Sequence, residues 1–245
     1  MRLLLLADQK VGFEIAQYLI EYFPQDLALV VTTAENDISH ESRKRKIPFQ
    51  VFDTNEALAV QLVNAHIDLG VLAWWPKIIK AQLLELPRLG FINTHPSLLP
   101  YNRGKHYNFW AIVEEAPFGV SLHCADDGID TGDIVAQDRI AYDWCDTGAS
   151  LYGKAQEAMV SLFRSTYPNL RQGQFPRYPQ ETNSGSFHRA SELEPASHLQ
   201  LEASYRGREI LNLLRARTFP GHPGCWFEEN GERYEVRIEI RRTEK

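Results

Sequence analysis

The sequence predicts an α/β protein built on a mostly parallel sheet, followed by a small C-terminal subdomain that contains a β-hairpin. In the first half of the 245-residue chain, short apolar runs alternate with longer amphipathic stretches. This alternation is typical of β-α units that feed a parallel sheet. Near the C-terminus, the pair Asn230-Gly231 separates two strand-like runs, Cys225–Glu228 and Tyr234–Ile240, which is a strong hairpin signal.

The spacing of apolar residues predicts the elements of the first half. Leu3–Ala7 is expected to form a buried strand, and apolar residues recur at helical spacing behind it. Further strands are predicted over Leu27–Thr32, Leu69–Ala73, Phe91–Thr94, Val120–Ala125 and Ile134–Ile140. Helices are predicted at Ala57–Ala65 and around Phe109–Glu115. The basic run Arg43–Lys46, close to Pro48, is interpreted as a solvated loop.

The second half divides at a stretch of turn-forming residues. Ala149–Tyr167 has helical periodicity and is expected to close the first domain. From Pro168 the chain is rich in Pro, Gly, Ser, Asn and Gln, which marks a linker or an extended excursion over the surface. A short helix is predicted at Glu209–Arg217. We therefore expect a domain at residues 1–167, a linker at 168–204, and a subdomain at 205–245 that is too small for an independent core.

Charge and composition argue against several classes of protein. The net charge of −6 gives no long-range attraction to a polyanion, so no nucleic-acid partner is expected. No apolar run approaches the roughly 18 residues needed to cross a bilayer, and Leu3–Leu6 is too short for a signal segment. Three scattered cysteines suit free thiols in a reducing compartment. We expect a cytoplasmic protein with no membrane partner.

Two stretches carry residues suited to chemistry, FINTHPSLLPYNRG at Phe91–Gly104 and DDGIDTGDI at Asp126–Ile134. They place an amide (Asn93), an imidazole (His95) and a carboxylate (Asp130) at the exits of adjacent strands, where open α/β sheets bind ligands. Acyl transfer needs a donor for the developing oxyanion and a group that accepts the proton of the attacking amine. Asn93 can supply the first and His95 the second, while Asp130 can fix the tautomer of the ring or relay the proton.

The two stretches together resemble the folate-dependent formyltransferases. The hallmark of that family is an Asn-x-His-x-Ser-Leu-Leu-Pro stretch with a downstream Leu/Ile-Asp-x-Gly segment. The matching positions are Asn93, His95, Ser97, Leu98, Leu99, Pro100, Arg103 and Gly104, then Ile129, Asp130, Thr131, Gly132 and Asp133. The resemblance implies a Rossmann-like sheet with helices on both faces, N10-formyltetrahydrofolate as co-substrate, and Asn93, His95 and Asp130 as catalytic residues.

The same resemblance implies a pocket for the pterin. In the family this pocket is lined by the segment after the third long strand and by the loop before the catalytic Asp. The corresponding candidates here are Trp74, Trp75, Pro76, Ile78, Asp126, Asp127 and Gly128. Trp74 and Trp75 are better explained as core and cleft wall than as a dedicated stacking device. The spacing of His95, His123 and Cys124 fits no standard zinc site, so no metal is expected.

Three classes of acceptor occur in the family: methionyl-tRNA, glycinamide ribonucleotide and nucleotide-linked amino sugars. The loop PYNRGKHYN at Pro100–Asn108 and the segment GSFHRASEL at Gly185–Leu193 resemble the sugar enzymes. A dTDP-linked amino-dideoxysugar, with its product destined for lipopolysaccharide O-antigen, is therefore the favoured acceptor. Its diphosphate needs positive charge and hydrogen-bond donors, for which the candidates are Lys77, Asn102, Arg103 and Lys105.

Two further expectations concern partners and alternatives. The aromatic residues and the hairpin of the tail suggest a homodimer formed through a sheet. Hydrolysis of formyl-folate is an alternative reaction, because water needs the same base and oxyanion site as an amine. A folate-binding regulator without activity is the remaining alternative.

Overall fold

A computed structural model describes residues 1–181 and 184–243. The predicted linker at 168–204 and the predicted subdomain at 205–245 each include two residues, 182–183 and 244–245, that lie outside this description. The chain forms two compact units, each assembled from separate segments. The first contains Met1–His95, Val120–Asp138 and Gln156–Gln180, and the second contains Pro96–Gly119, Arg139–Ala155 and Glu181–Lys245.

The strands are two to six residues long. They are β1 (Leu3–Ala7), β2 (Leu27–Thr32), β3 (Phe49–Val51), β4 (Leu69–Ala73), β5 (Phe91–His95), β6 (Arg103–Gly104), β7 (Gly119–Cys124), β8 (Ile134–Arg139), β9 (Phe187–His188), β10 (Cys225–Glu229) and β11 (Glu232–Val236). In the part of the chain that the structure describes, seven of them form one sheet in the order β3-β2-β1-β4-β5-β7-β8. The pairs from β3 to β5 are parallel, and β5 pairs with β7 in the antiparallel sense. The predicted α/β fold with a mostly parallel sheet is confirmed.

The helices alternate with the strands of this sheet in the first half of the chain. They are α1 (Gln9–Tyr22), α2 (Asp37–Lys44), α3 (Asn55–Leu62), α4 (Ala81–Leu84), α5 (Tyr107–Val113), α6 (Gly148–Arg171), α7 (Leu193–Ala196) and α8 (Gly207–Arg217). Among residues 1–181 and 184–243, no helix is long and apolar enough to span a bilayer.

The strand-to-helix turn after β1 shows why the local sequence folds as it does. The carboxylate of Asp8 accepts a hydrogen bond from the backbone N–H of Gln9 at 2.8 Å and thereby caps α1. One turn later, a Cβ on Gly12 would lie 2.7 Å from the carbonyl oxygen of Ala73 in β4. Only glycine lets α1 approach the sheet this closely.

The sequence analysis missed three elements of the first unit, namely α2, β3 and the short helix α4. The prediction of a solvated loop at Arg43–Lys46 is wrong at its first two residues, because α2 extends through Lys44. The helix forms because Asn36 and Ser39 make a capping box, in which each side chain bonds the backbone N–H of the other residue. The short strand β3 follows it and pairs with β2.

The long helix α6 continues past its predicted end at Tyr167 and contains Pro168. Proline has no N–H, so the carbonyl of Arg164 loses its partner within the helix. The hydroxyl of Tyr18 donates a hydrogen bond to that carbonyl at 3.3 Å. The last turn is also held by Asp26, which accepts hydrogen bonds from the hydroxyl of Tyr167 at 3.0 Å and from Nε of Arg171 at 2.5 Å. The hydrogen bonds of these side chains allow α6 to continue beyond Pro168.

The second unit contains the predicted hairpin. Strands β10 and β11 pair in the antiparallel sense around Asn230-Gly231, and both of these turn residues have positive φ, as a tight hairpin turn requires. The second strand begins at Glu232 and ends at Val236, earlier than the predicted range Tyr234–Ile240. The reason is that a two-residue turn starts the return strand immediately after Gly231.

Candidate active site

Strands β5 and β7 bring four polar side chains to one face of the sheet. Asn93 lies opposite His123, and His95 lies opposite Ser121. Because alternate residues of a strand point to the same face, Asn93 and His95 share a face, and His123 and Ser121 share it with them. Nδ2 of Asn93 lies 3.1 Å from Nε2 of His123, and the two imidazole rings lie 6.1 Å apart at 82°.

The carboxylate of Asp130, which lies on the loop between β7 and β8, completes this group. Its Oδ1 lies 3.3 Å from Nδ1 of His95, 3.4 Å from Nδ2 of Asn93 and 3.6 Å from Nε2 of His123. The side chains of His95, His123 and Asp130 are 6%, 2% and 13% exposed, so these electrostatic interactions are weakly screened. The structure therefore brings together the amide, the imidazole and the carboxylate that the sequence predicted as a catalytic group.

The loop that carries Asp130 is held by contacts on both sides. Asp130 itself has φ +54°, a left-handed conformation that Asp and Asn adopt more readily than most residues. Nε2 of Gln180 donates hydrogen bonds to the carbonyl oxygens of Asp130 at 3.0 Å and of Gly132 at 2.6 Å. A Cβ on Gly132 would lie 1.9 Å from the carbonyl oxygen of Cys124, so this turn requires glycine.

Asp126 holds the first part of the same loop. Its carboxylate accepts a hydrogen bond from the hydroxyl of Thr131 at 2.8 Å and one from the backbone N–H of Gly128 at 3.2 Å. Among the residues proposed for the pterin, Asp126, Asp127 and Gly128 are all exposed on this loop. The structure thus gives Asp126 a clear role in shaping the loop that presents Asp130.

His123 is the residue of this site that the sequence analysis missed, since it was weighed there only as a metal ligand. Its Nδ1 lies 2.9 Å from the carbonyl oxygen of Cys124 and can only donate to it. In the neutral ring Nε2 is then the acceptor, and it receives an N–H of Asn93. The signal available in the sequence was position, because His123 lies on the alternating strand GVSLHC and faces the same side as Ser121.

The segment after β4 begins with a sharp turn. Trp74 has φ +55°, and its backbone N–H donates a hydrogen bond to the hydroxyl of Thr94 at 2.8 Å. Trp75 packs against the apolar core beside Phe52, with ring centroids 5.3 Å apart. Nζ of Lys77 lies 4.9 Å from the centre of the Phe52 ring.

Two other candidates on this segment are open to solvent. Pro76 is exposed, and the side chain of Ile78 is exposed as well, at 80% for the residue. The backbone here is anchored by Asn55, which donates to the carbonyl of Ile78 at 3.2 Å and accepts from the N–H of Lys80 at 3.1 Å. The segment is therefore a tethered loop with one aromatic side chain in the core and an exposed apolar surface.

The remaining candidates belong to the second unit. Asn102 is 1% exposed with φ +53°, and its Nδ2 donates to a carboxylate oxygen of Glu114 at 2.8 Å. Arg103 is half-buried and its Nε has no hydrogen-bond partner among the residues described. Lys105 is exposed. Of the three, the cationic side chains are the ones that can reach an anionic ligand.

Among residues 1–181 and 184–243, no group of three His, Cys, Asp or Glu side chains has an arrangement that could hold a metal ion. Burial raises the pKa of the Cys124 thiol, which disfavours the thiolate that metals bind. The described cysteines are all free thiols.

An amide donor, an imidazole and a buried carboxylate around one point are suited to the transfer of an acyl group to a nucleophile. Comparison with known families agrees with this chemistry. Residues 23–166 match the family model described as formyl transferase. Residues 192–242 match the model described as the N-formyltransferase dimerization C-terminal domain. The chain belongs to the formyl transferase family, and it is therefore an enzyme that transfers a one-carbon group.

Solved structures share the fold over nearly the whole chain. A candidate sugar N-formyltransferase from Mycobacterium tuberculosis has a TM-score of 0.84 at 22% identity, over 100% of this chain and 99% of that one. A 4-N formyltransferase from Francisella tularensis has a TM-score of 0.82 at 22% identity, over 99% of this chain and 98% of that one. An N-formyltransferase from Helicobacter canadensis, in complex with folinic acid and dTDP-3-aminofucose, has a TM-score of 0.72 at 20% identity, over 94% and 85%. At these identities the likeness establishes the fold.

Proposed function

We propose that this protein transfers the formyl group of N10-formyltetrahydrofolate to the amine of a dTDP-linked amino-dideoxysugar, with the amine at C-3 or C-4. The observation that carries this proposal is the position of Asp130 Oδ1 within 3.3–3.6 Å of His95, Asn93 and His123. Such a group can handle both the charge on a formyl oxygen and the proton of an amine.

The proposed reaction begins when the uncharged amine attacks the formyl carbon. A new C–N bond forms, the carbonyl π electrons move to the oxygen, and the bond to N10 of the folate breaks when the intermediate collapses. Asn93 donates to the developing oxyanion. Its N–H toward Asp130 is the one that can turn to the ligand, because that contact of 3.4 Å is long for a hydrogen bond.

The proton of the amine is assigned to His95. With a proton on Nδ1 facing Asp130 at 3.3 Å, the neutral ring presents Nε2 as its basic nitrogen. Nε2 accepts the proton of the attacking amine, and the carboxylate of Asp130 stabilises the resulting imidazolium. Passing this proton to N10 completes the exchange and regenerates the neutral ring. Formyl-sugar and tetrahydrofolate are the products.

The choice of an amino sugar is supported by the tail of the chain. Residues 192–242 match a domain model named for N-formyltransferases, and the complex from Helicobacter canadensis contains a dTDP-amino sugar and a folate. The net charge of −6 is unfavourable for tRNA as acceptor. Lys77, Arg103 and Lys105 are the proposed cationic donors for a diphosphate, and Asn102 holds the loop of Arg103 and Lys105 through its hydrogen bond to Glu114.

Under this proposal, each of the three predicted regions of the chain has a role. Residues 1–167 would carry catalysis, with the pterin against Trp74, Trp75, Pro76 and Ile78 and the loop Asp126–Gly128. Residues 168–204 would connect the catalytic domain to the C-terminal subdomain. Residues 205–245 would hold two copies of the chain together as a homodimer, in line with the dimerization model that matches 192–242. The formylated sugar would then be a precursor of surface polysaccharide such as O-antigen.

The test is turnover of N10-formyltetrahydrofolate with dTDP-3-amino and dTDP-4-amino sugars, followed by mass spectrometry of the sugar and by absorbance of tetrahydrofolate. We expect a product heavier by one formyl group, and a loss of at least about a hundredfold in kcat/KM for Asn93→Ala and His95→Ala. His40→Ala, at an exposed position on α2, is the matched control. Formate release that needs no acceptor would assign hydrolysis instead. Turnover only with methionyl-tRNA or glycinamide ribonucleotide would overturn the choice of acceptor.

A further inference from the structure

A charged cluster lies around His188 in the second unit. Nε2 of His188 lies 2.6 Å from a carboxylate oxygen of Glu114, and Nδ1 lies 2.9 Å from a carboxylate oxygen of Glu192. The indole of Trp110 stacks on the imidazole at 3.8 Å with the rings 7° from parallel. We call Trp110, Glu114, His188 and Glu192 the His188 cluster.

A carboxylate oxygen faces each of the two nitrogens of the His188 ring. An ionised carboxylate only accepts hydrogen bonds, so each ring nitrogen facing one must carry a proton. The hydrogen bond from His188 is the largest influence that holds the pKa of Glu192 below its usual value, which keeps this carboxylate ionised. A ring protonated on both nitrogens is a cation, and the face of Trp110 is a favourable partner for a cation.

The cluster is linked directly to the loop that holds Asn102, Arg103 and Lys105. The second carboxylate oxygen of Glu114 accepts hydrogen bonds from Nδ2 of Asn102 and from Oγ of Ser186, both at 2.8 Å. The hydroxyl oxygen of Ser186 in turn accepts hydrogen bonds from the backbone N–H and from Nδ2 of Asn102, both at 3.2 Å. Removing the charge of His188 would therefore loosen Glu114 and, through it, Asn102.

Backbone hydrogen bonds also link the His188 cluster to the loop that holds Arg103 and Lys105. Strands β6 and β9 pair in parallel, with the N–H of Arg103 donating to the carbonyl of Ser186 at 3.0 Å and the N–H of Lys105 donating to the carbonyl of His188 at 2.9 Å. Gly104 lies between them with φ +87°, and a Cβ there would lie 2.3 Å from the carbonyl oxygen of His188. Both cationic side chains of the loop are thus carried by a backbone that His188 anchors.

We propose that His188 is a positioning residue, held as an imidazolium between Glu114 and Glu192, that fixes the segment 102–105 for binding of the diphosphate of the acceptor. The role in acceptor binding rests on the proposed function, whereas the charged cluster and the anchoring of the loop do not. The residue touches the loop, and Arg103 and Lys105 are the groups that would meet the ligand.

The anchoring is tested without any substrate. In the wild-type protein, ¹⁵N spectra at neutral pH should show both ring nitrogens of His188 protonated. Hydrogen exchange at the amides of Arg103 and Lys105 should be about tenfold faster or more in His188→Gln. The glutamine amide carries no charge, and both of its N–H groups lie on one nitrogen, so it cannot span the two carboxylates as the two ring nitrogens do. His40→Gln, at an exposed site, should leave these amides unchanged. An unprotonated ring nitrogen, or unchanged exchange in a folded His188→Gln protein, would overturn the proposal.

The role in binding is tested by separating the kinetic constants. We expect His188→Gln to raise KM for the dTDP-amino sugar by about tenfold, while kcat and KM for formyltetrahydrofolate change by less than about twofold. If His188→Gln does not fold, Glu192→Gln removes one partner at a half-buried position and should give a smaller increase in the same KM. A fall in kcat with the acceptor KM unchanged would refute a positioning role. If the wild-type protein formylates no amino sugar, the proposed function fails, and the exchange experiment still decides whether His188 anchors the loop.

Discussion

Asp130→Asn is the most direct test of the proposed chemistry, because the structure predicts a loss of activity without a loss of fold. Asparagine has nearly the same size as aspartate and adopts the left-handed conformation that Asp130 shows at φ +54°. The hydrogen bond that Gln180 donates to residue 130 goes to its backbone carbonyl and is kept. The thermal midpoint should therefore stay within roughly 4 °C of wild type, the shift produced by about 1 kcal/mol.

The expected loss follows from what the carboxylate contacts. Oδ1 of Asp130 faces Nδ1 of His95 at 3.3 Å, so the negative charge both selects the Nδ1–H tautomer and stabilises the ring when it is protonated. An amide removes the charge and can turn an N–H toward Nδ1, which places the proton on the wrong nitrogen. The comparable Asp-to-Asn change in a serine protease triad lowers kcat by about ten thousandfold. We expect a fall in kcat/KM between about a hundredfold and that value, or roughly 2.7–5.4 kcal/mol in the barrier.

The assay is initial-rate formation of tetrahydrofolate at saturating formyl donor, with circular dichroism and thermal melting on the same preparations. Asp138→Asn, an exposed substitution on β8, is the matched control and should retain wild-type rates. A folded Asp130→Asn enzyme that keeps kcat/KM within about threefold of wild type would refute the role of the carboxylate in handling the proton.

Three further outcomes follow from contacts elsewhere in the chain. Gln180→Leu removes the donor shared by two loop carbonyls, and steady-state kinetics should show kcat/KM lowered by about tenfold. Tyr18→Phe leaves the carbonyl freed by Pro168 without its donor, so urea denaturation should show a loss of about 1 kcal/mol. Burial acts to raise the pKa of Asp146, but hydrogen bonds, led by that from Lys154 at 2.9 Å, outweigh it and hold the pKa below its usual value. The charged carboxylate then stabilises the fold above its unfolded pKa of about 4, so Asp146→Asn should cost about 1 kcal/mol at pH 7 and progressively less as the pH falls toward 3.

Each of these substitutions has a control at an exposed position. Gln172→Leu matches the change at Gln180, Tyr22→Phe lies one turn from Tyr18, and Asp138→Asn matches the change at Asp146. Equal stability of the Tyr18 and Tyr22 variants would show that the Arg164 carbonyl has another partner. A stability difference at Asp146 that persists unchanged at pH 3 would contradict its electrostatic origin.

The central sheet was predicted well because buried parallel strands appear in a sequence as continuous runs of apolar residues. Leu3–Ala7, Leu27–Thr32 and Leu69–Ala73 match β1, β2 and β4 residue for residue. The elements that were missed depend on polar caps or on partners far along the chain. Helix α2 is polar and depends on Asn36, and Pro168 is accommodated only because Tyr18 lies against it.

The sequence predicted the parts of the candidate site that lie in its two motifs. It did not predict the residues that a distant segment of the chain adds to the site. Asn93 and His95 share a strand, and the two motifs together indicated Asp130. Gln180 lay in a stretch interpreted as linker, yet it holds the loop that presents Asp130. His123 needed the antiparallel register of β5 and β7, which places it opposite Asn93. Strand pairing of this kind cannot be deduced from the composition of either strand.

The backbone around Asp130 explains why this site needs support from a distant residue. A left-handed conformation costs an L-residue roughly 1–2 kcal/mol, and a glycine at position 130 would avoid that cost but would carry no carboxylate. The two hydrogen bonds from Gln180 to the carbonyls of Asp130 and Gly132 offset a cost of that size. Gly132, where a Cβ would meet the Cys124 carbonyl at 1.9 Å, accommodates the turn that follows. The fold thus keeps a strained aspartate where Oδ1 reaches His95, Asn93 and His123 together, and loosening Gln180 should release Asp130 before it releases the sheet.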